Sequence, residues 1–192
     1  MTVFYTLGWS DPWPVSALTG MGTGDLLDEV VRRVKKQGSR SPQKPPLDYN
    51  STAKPDYRVC IIGKTNVGKS SLFNSLVGTE RMLVSTQPHT TREPQSAILK
   101  YQEKTIEIID TAGLSRRQPK AKNNLEKRSM IKSLACLKDA DIALLTLDIS
   151  EPITHEEARL AQEIINHKKS LIIVANKWDK ITNHDPKEFS AL

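Results

Sequence analysis

Gly63-Lys64-Thr65-Asn66-Val67-Gly68-Lys69-Ser70 decides how the rest of the chain is read. These residues fit the pattern G-x-x-x-x-G-K-[ST] without a mismatch. An apolar strand candidate, Val59-Cys60-Ile61-Ile62, leads in, and a helix candidate, Ser71-Leu72-Phe73-Asn74-Ser75-Leu76-Val77, leads out. That context suits a phosphate cradle: glycines let successive N–H groups turn towards phosphate oxygens, and the helix N-terminus adds positive dipole. Lys69 is expected at the β- and γ-phosphates of a nucleotide, and the Ser70 hydroxyl on Mg²⁺. By average residue usage, a chain of this length carries such a match by chance on the order of once in a hundred. The flanking strand and helix lower that figure.

Working outward, the pattern is strand–helix alternation. Residues 57–62 form the first strand, followed by the loop and its helix. Residues 79–94 read as a long polar loop. Two strands, 95–101 and 105–109, are joined by a polar turn at Gln102-Glu103-Lys104 and are expected to pair antiparallel. A further irregular stretch, 110–124, precedes a helix over 126–137, with Met130, Ile131, Leu134 and Leu137 inward. Residues 142–147 and 171–175 are buried strands. Between them Thr154-His155-Glu156-Glu157 is a capping box that opens a helix to about His167. Continuous apolar strands alternating with helices predict an α/β fold of the P-loop NTPase class: a mostly parallel, doubly wound sheet with helices on both faces and one antiparallel strand.

Two further strand ends carry chemistry. Asp110-Thr111-Ala112-Gly113 follows an apolar strand. A carboxylate there can hold a Mg²⁺-bound water, and Gly113 allows a backbone N–H close to a γ-phosphate. Asn176-Lys177-Trp178-Asp179 ends the strand 171–175. Asp179 can accept bonds from the N1–H and N2 amine of guanine. Adenine lacks that donor pair, and a site built on such bonds discriminates by up to ~10⁴–10⁵. Asn176 is expected to bridge base and phosphate loop, and the Lys177 stem to cover the ring.

Upstream, 37–56 holds Pro42, Pro45, Pro46 and Pro55 among polar residues and reads as a linker. Residues 14–18 read as a strand and its exit. Thr19-Gly20-Met21-Gly22-Thr23-Gly24 is a glycine-rich turn, and 25–36 a helix with Leu26, Leu27, Val30, Val31 and Val34 on one face. No Lys-Ser/Thr follows those glycines, so they mark a turn and not a second phosphate loop.

Composition limits the alternatives. The 192 residues are 38% hydrophobic and 26% charged, as in globular domains. The formal charge of +6 suits an anionic partner or a plain basic surface equally, and 5% aromatics argues against a stacking surface for single-stranded nucleic acid. Cys60 and Cys136 have no metal or redox spacing. No stretch has the length and apolarity of a membrane span, and the N-terminus lacks the pattern of a secretory signal, so the expectation is a cytoplasmic protein without a membrane partner.

The three motifs resemble those of small GTPases, and Asn66 with Thr90-Thr91-Arg92 and Asp110-Thr111-Ala112-Gly113-Leu114 resembles the Era-like branch. Gly78-Thr79-Glu80-Arg81, Leu114-Ser115-Arg116-Arg117, Glu126-Lys127-Arg128-Ser129 and Asn176-Lys177-Trp178-Asp179 resemble the second G domain of the Der (EngA) tandem GTPase family. Residues 1–36 resemble the end of that family's first G domain, through Phe4-Tyr5-Thr6-Leu7-Gly8, Pro14-Val15-Ser16-Ala17-Leu18 and Gly24-Asp25-Leu26-Leu27-Asp28. The resemblance implies hydrolysis of GTP to GDP in ribosome large-subunit biogenesis, with the large subunit or its rRNA as partner. It implies Thr91 as a switch threonine on Mg²⁺. Leu114 stands where many GTPases carry glutamine, so the resemblance implies K⁺ as the auxiliary cation, held partly by Asn66. Thr65, His89 and Glu93 depart from the family's usual Pro, Gly and Asp; His89 is read as an exposed loop histidine. Basic residues after Gly113, among them Arg116, Arg117, Lys120, Lys122, Lys127 and Arg128, suit a solvated switch or RNA contact. Two other readings remain: a nucleotide-binding fragment with little hydrolysis, and an Era-like GTPase of tRNA modification or iron transport.

The implied organisation is a strand and helix of a preceding G domain (1–36), a linker (37–56), and a second G domain (57–192) that stops before its last strand and helix. The apolar face of 25–36 otherwise faces no core. One expectation is therefore that 14–36 docks in place of the missing strand and helix, as in a circular permutation, with Ser16-Ala17-Leu18 over the base.

Overall fold

The computed structural model describes residues 11–36, 55–78, 83–87, 95–111 and 135–181. The elements are β1 (Trp13–Pro14), α1 (Thr23–Lys36), β2 (Tyr57–Ile62), α2 (Lys69–Gly78), β3 (Leu83–Gln87), β4 (Gln95–Tyr101), β5 (Lys104–Asp110), β6 (Ile142–Asp148), α3 (His155–Asn166) and β7 (Ser170–Asn176), with a 3₁₀ turn at Trp178–Lys180. One sheet has the order β1-β7-β6-β2-β5-β4-β3. Pairings β1–β7, β7–β6, β6–β2 and β2–β5 are parallel. β4 runs against both neighbours and is the one antiparallel strand among the described residues.

β2 shows why the sheet is covered on both faces. Val59 and Ile61 point into a cluster with Leu72, Leu76, Leu144 and Ile172; Cys60 and Ile62 point into another with Leu145, Leu160, Ala161 and Ile164. The two-residue periodicity of the strand feeds both layers. α2 covers the first face and α3 the second. The capping box that opens α3 is formed, with the Thr154 N–H donating to the Glu157 carboxylate at 2.7 Å. The β4–β5 hairpin turns on Gln102 and Glu103, at φ 46° and 60°. Two consecutive left-handed residues match the twist of the strands they join.

One expectation is corrected. Residues 83–87, read as part of a long loop, form β3 at the sheet edge and pair antiparallel with β4 (Thr86 opposite Ala97, with a register irregularity between Leu83 and Ser85). A short strand holding Ser, Thr and Gln lacks the continuous apolar run that marks the central strands, and the neighbour it pairs with supplies its backbone hydrogen bonds. Of the 126–137 helix, only its end lies among the described residues, where Leu137 is buried.

The N-terminal segment packs as part of this same core. β1 extends the sheet beside β7 (Trp13 opposite Val174, Pro14 opposite Ala175), and the Val15 N–H donates to Ala175 O at 2.9 Å. The strand is shorter than the one read over 14–18. α1 starts two residues earlier than expected and buries Leu26, Leu27, Val30, Val31 and Val34 in the cluster that holds Ile61 and Leu72. Each such burial stabilises on the order of 1.5–3 kcal/mol before entropy is counted. Its buried Glu29 accepts bonds from Arg32 and Arg33, and Arg33 also donates to Leu171 O at the start of β7. Asp28 accepts bonds from the Tyr101 hydroxyl (2.5 Å) and the Gln102 amide (2.7 Å), which tie α1 to the hairpin.

Two predictions arise here. Gly22 has φ 73°, and a Cβ there would lie 2.2 Å from the Pro14 carbonyl oxygen. Gly22→Ala is expected to destabilise the domain by about 2 kcal/mol or more in urea unfolding, because backbone must move to relieve the clash. Burial pushes the Glu29 carboxyl up, but the Arg32 and Arg33 guanidinium groups outweigh it and hold the group below the usual range near 4.5. Its stabilising contribution is therefore full above that range and is lost as pH falls towards the lowered value. Urea unfolding should separate the parent from Glu29→Gln clearly at pH 7, and by less at pH 3.5.

Candidate functional site

The carboxyl ends of the parallel strands converge on one edge. The register sets Ile61 beside Asp110, Ile62 beside Leu145, and Asp148 beside Asn176. All three motifs therefore leave the sheet on the side where α/β folds bind ligands.

The loop 63–68 turns from β2 into α2, with Asn66 left-handed at φ 68° and its side chain exposed. Lys69, 6% exposed, donates to Gly63 O at 2.7 Å and Lys64 O at 2.6 Å, so its ammonium lies under the curl of the loop. Ser70 follows in the first turn of α2 and is half-buried. Asp110 is buried at the end of β5, and the Thr111 hydroxyl donates to Ile61 O at 2.7 Å, which closes β5 against β2. Thr91, Ala112, Gly113 and Leu114 lie outside the described residues.

Asn176 joins three parts of the site. It is 1% exposed; its amide donates to Val67 O at 2.8 Å, and its carbonyl accepts the Ala17 N–H at 3.0 Å. Gly68 makes that approach feasible: a Cβ there would lie 2.2 Å from the Asn176 amide nitrogen. Asn176, expected to bridge base and phosphate loop, bonds the loop through Val67, and Ala17 is its second anchor. Lys177 is left-handed at φ 64°, and its ammonium pairs with Asp148. Asp148 was missed in the sequence. Burial pushes its carboxyl up, while Lys177 and Ser150 outweigh this and hold it below the usual range. The signal for it was available: a carboxylate at the end of a wholly buried strand.

Asp179 carries the tie that orders the far wall. Ser16 Oγ donates to Asp179 Oδ1 at 2.5 Å, and the Trp178 N–H donates to Val15 O at 3.1 Å. The Ser16-Ala17-Leu18 turn therefore sits against Asn176–Asp179, as the docking expectation requires. Between them and α2 opens a cavity of about 650 Å³, lined by Ala17, Leu18, Gly68, Ser71, Lys177 and Asp179 among others. That volume fits a small-molecule ligand. The cavity meets the phosphate loop at Gly68 and the end of β7 at Asn176, Lys177 and Asp179. One wall carries the Asp179 carboxylate, which accepts from the Ser16 hydroxyl.

Comparisons with known proteins agree with this geometry. GTPase Der of Chloroflexus aggregans is 41% identical over 179 residues, which is 93% of this chain and 37% of the relative. GTPase Der of Lachnospira eligens is 43% identical over 184 residues, 95% of this chain and 39% of the relative. The chain thus spans less than half the length of these curated relatives. The crystal structure of Era in complex with MgGDPNP and nucleotides 1506–1542 of 16S ribosomal RNA is 28% identical with a TM-score of 0.50, covering 71% of this chain and 44% of that one. The family described as 50S ribosome-binding GTPase matches residues 58–177, which run from β2 through the phosphate loop to Lys177, and the chain belongs to that family.

Proposed function

We propose that this chain binds a guanine nucleotide and hydrolyses GTP to GDP and phosphate, with Mg²⁺ and with K⁺ as the auxiliary cation. The observation that carries the reading is Asn176, which fixes the phosphate loop through Val67 and sets Asp179 three residues on, facing the same cavity. In this reading Asp179 accepts from the guanine N1–H and N2 amine, and Lys177 lies along the ring with its ammonium anchored on Asp148. Backbone N–H groups of Gly63, Lys64, Thr65, Asn66, Val67 and Gly68 and the Lys69 ammonium receive the phosphates. The resemblance assigns Thr91 to Mg²⁺ and Ala112, Gly113 and Leu114 to the γ-phosphate end; all four lie outside the described residues.

The donor set fits the metal. Ser70 and Asp110 offer hard oxygen ligands, as Mg²⁺ requires. Bound Mg²⁺ supplies charge against the phosphoryl oxygens. Ser70 and Asp110 hold it there, and Lys69 stabilises the charge developing on the leaving side. The exposed Asn66 carboxamide offers an oxygen to K⁺.

By the same reading 1–36 derives from the end of a preceding G domain, 37–56 is a linker, and 57–192 belongs to a second G domain. The large ribosomal subunit or its rRNA is the proposed partner, on the family description and the curated relatives. The cytoplasm is the proposed compartment, consistent with two free cysteines. Among the described residues no helix is long and apolar enough to cross a membrane.

Phosphate release from GTP should be measured in K⁺ and in Na⁺, beside Lys69→Ala. Turnover above the variant, and faster in K⁺, is the expected result. Turnover no higher than the variant's would make the chain a nucleotide binder only.

A further inference from the structure

The exit of β6 is fastened to the exit of β7. Asp148, 5% exposed, gives one carboxylate oxygen to Ser150, accepting from its N–H at 3.0 Å and from its hydroxyl at 2.6 Å. The other oxygen accepts from the Lys177 ammonium. Beside them the Ile149 N–H donates to Asn176 O at 3.0 Å. Lys177 is the residue at which the chain turns out of β7. Its backbone is left-handed, φ 64°, a conformation that costs an L side chain free energy and persists where the surroundings hold it. Its side chain lines the cavity, and the 3₁₀ turn that carries Asp179 starts at the next residue.

We propose that Asp148 is a positioning residue for guanine nucleotide: by taking the Lys177 ammonium it makes that side chain offer its carbon stem, and not its charge, to the base, and it braces the left-handed turn that aims Asp179. This rests on the guanine reading above. The physical basis is the asymmetry of a buried ion pair. A carboxylate as buried as Asp148 is costly without a cation, so it holds the one that reaches it. An ammonium held there is not free to swing to the phosphates or to solvent. The Lys177 side chain stays 25% exposed while that of Asp148 is 3% exposed, so the stem remains open to the cavity with its head occupied. Glu151, in the same turn, differs. Its carboxylate lies 3.9 Å from the Lys64 ammonium with 60% of its side chain exposed, and an exposed pair of that kind contributes little.

A double-mutant cycle in GDP affinity on the whole chain tests this, with Asp148→Asn, Lys177→Met and the two combined. In Asp148→Asn the Ser150 donors claim the one amide oxygen, which turns the amide N–H₂ towards the Lys177 ammonium. Methionine at 177 keeps an unbranched stem but leaves the buried carboxylate unpaired. Each single substitution is therefore expected to weaken GDP about tenfold. The combined variant, with neither charge, is expected to lose no more than about tenfold, against about a hundredfold for residues that act independently. Glu151→Gln is expected to stay within about twofold. A second measurement needs no nucleotide: an amine-acylating reagent should label Lys177 several-fold more slowly than the exposed Lys180. Losses that multiply in the combined variant, or a Glu151→Gln loss equal to that of Asp148→Asn, would overturn the positioning role and leave the guanine reading standing. Labelling of Lys177 as fast as Lys180 would do the same. Absence of GDP binding by the parent chain would overturn both.

Discussion

Lys69→Ala is expected to cut GTP turnover by about 10²–10³ or more, the cost of losing one preorganised donor at a centre where charge develops. The packing around Lys69 shows how that donor is held. Lys69 is buried at the first turn of α2, and its ammonium bonds the carbonyls of Gly63 and Lys64. Those carbonyls fix the ammonium in the loop, so on the proposed reading little reorganisation is needed when phosphates bind. Alanine keeps the helix, being its best former. The variant should therefore retain its fold by circular dichroism and unfold in urea within about 1 kcal/mol of the parent, as expected when the lost bonds are offset by removing a buried charge. Single-turnover phosphate release checks the chemistry. A rate within threefold of the parent would show that Lys69 is not at the reacting phosphates.

Asp179→Asn is the second large effect, and it is one of specificity. The carboxylate accepts at both oxygens, whereas the amide accepts at one and donates at the other. Ser16 can still donate to the oxygen that it now holds at 2.5 Å, so the 16–18 turn keeps its anchor and the change is confined to the side facing the base. Against guanine the new N–H₂ meets a donor. GDP affinity should fall by at least ~10²-fold, within the ~10⁴–10⁵ range open to a site built on such bonds. Xanthine carries a carbonyl where guanine has its N2 amine, so XDP should gain as GDP loses. Titration of both nucleotides against both proteins checks this. Unchanged GDP binding would remove Asp179 from base recognition.

Several features were legible because they are local. The phosphate loop is a contiguous pattern whose glycines, lysine and serine act through their own backbone and side chains. The capping box at Thr154 and Glu157 spans one helical turn. The buried strands β6 and β7 announce themselves by unbroken apolar runs, and the left-handed pair Gln102-Glu103 occupies the polar turn between two strand-like segments. The apolar face of α1 was also plain, and it required a core somewhere.

Other features depend on neighbours that the sequence does not name. β3 is a strand because β4 presents an open edge to it; its Val84 and Thr86 favour strand, but five residues without an apolar run do not announce one. Asp148 matters because β6 and β7 are in register, which brings it to Lys177 across 29 residues. The need for glycine at 68 comes from the loop's own left-handed backbone, φ 97°, and also from the Asn176 amide more than a hundred residues away.

The sequence by itself determined the phosphate loop, the strand-end motifs and the alternation that makes a doubly wound sheet, since each is set by short-range periodicity and side-chain chemistry. Only the tertiary structure decided that 13–36 closes the far side of that sheet and that Ser16 meets Asp179. Those two residues are 163 positions apart. Their meeting depends on the free edge of β7 and on the burial of α1, and both exist only once the sheet has formed.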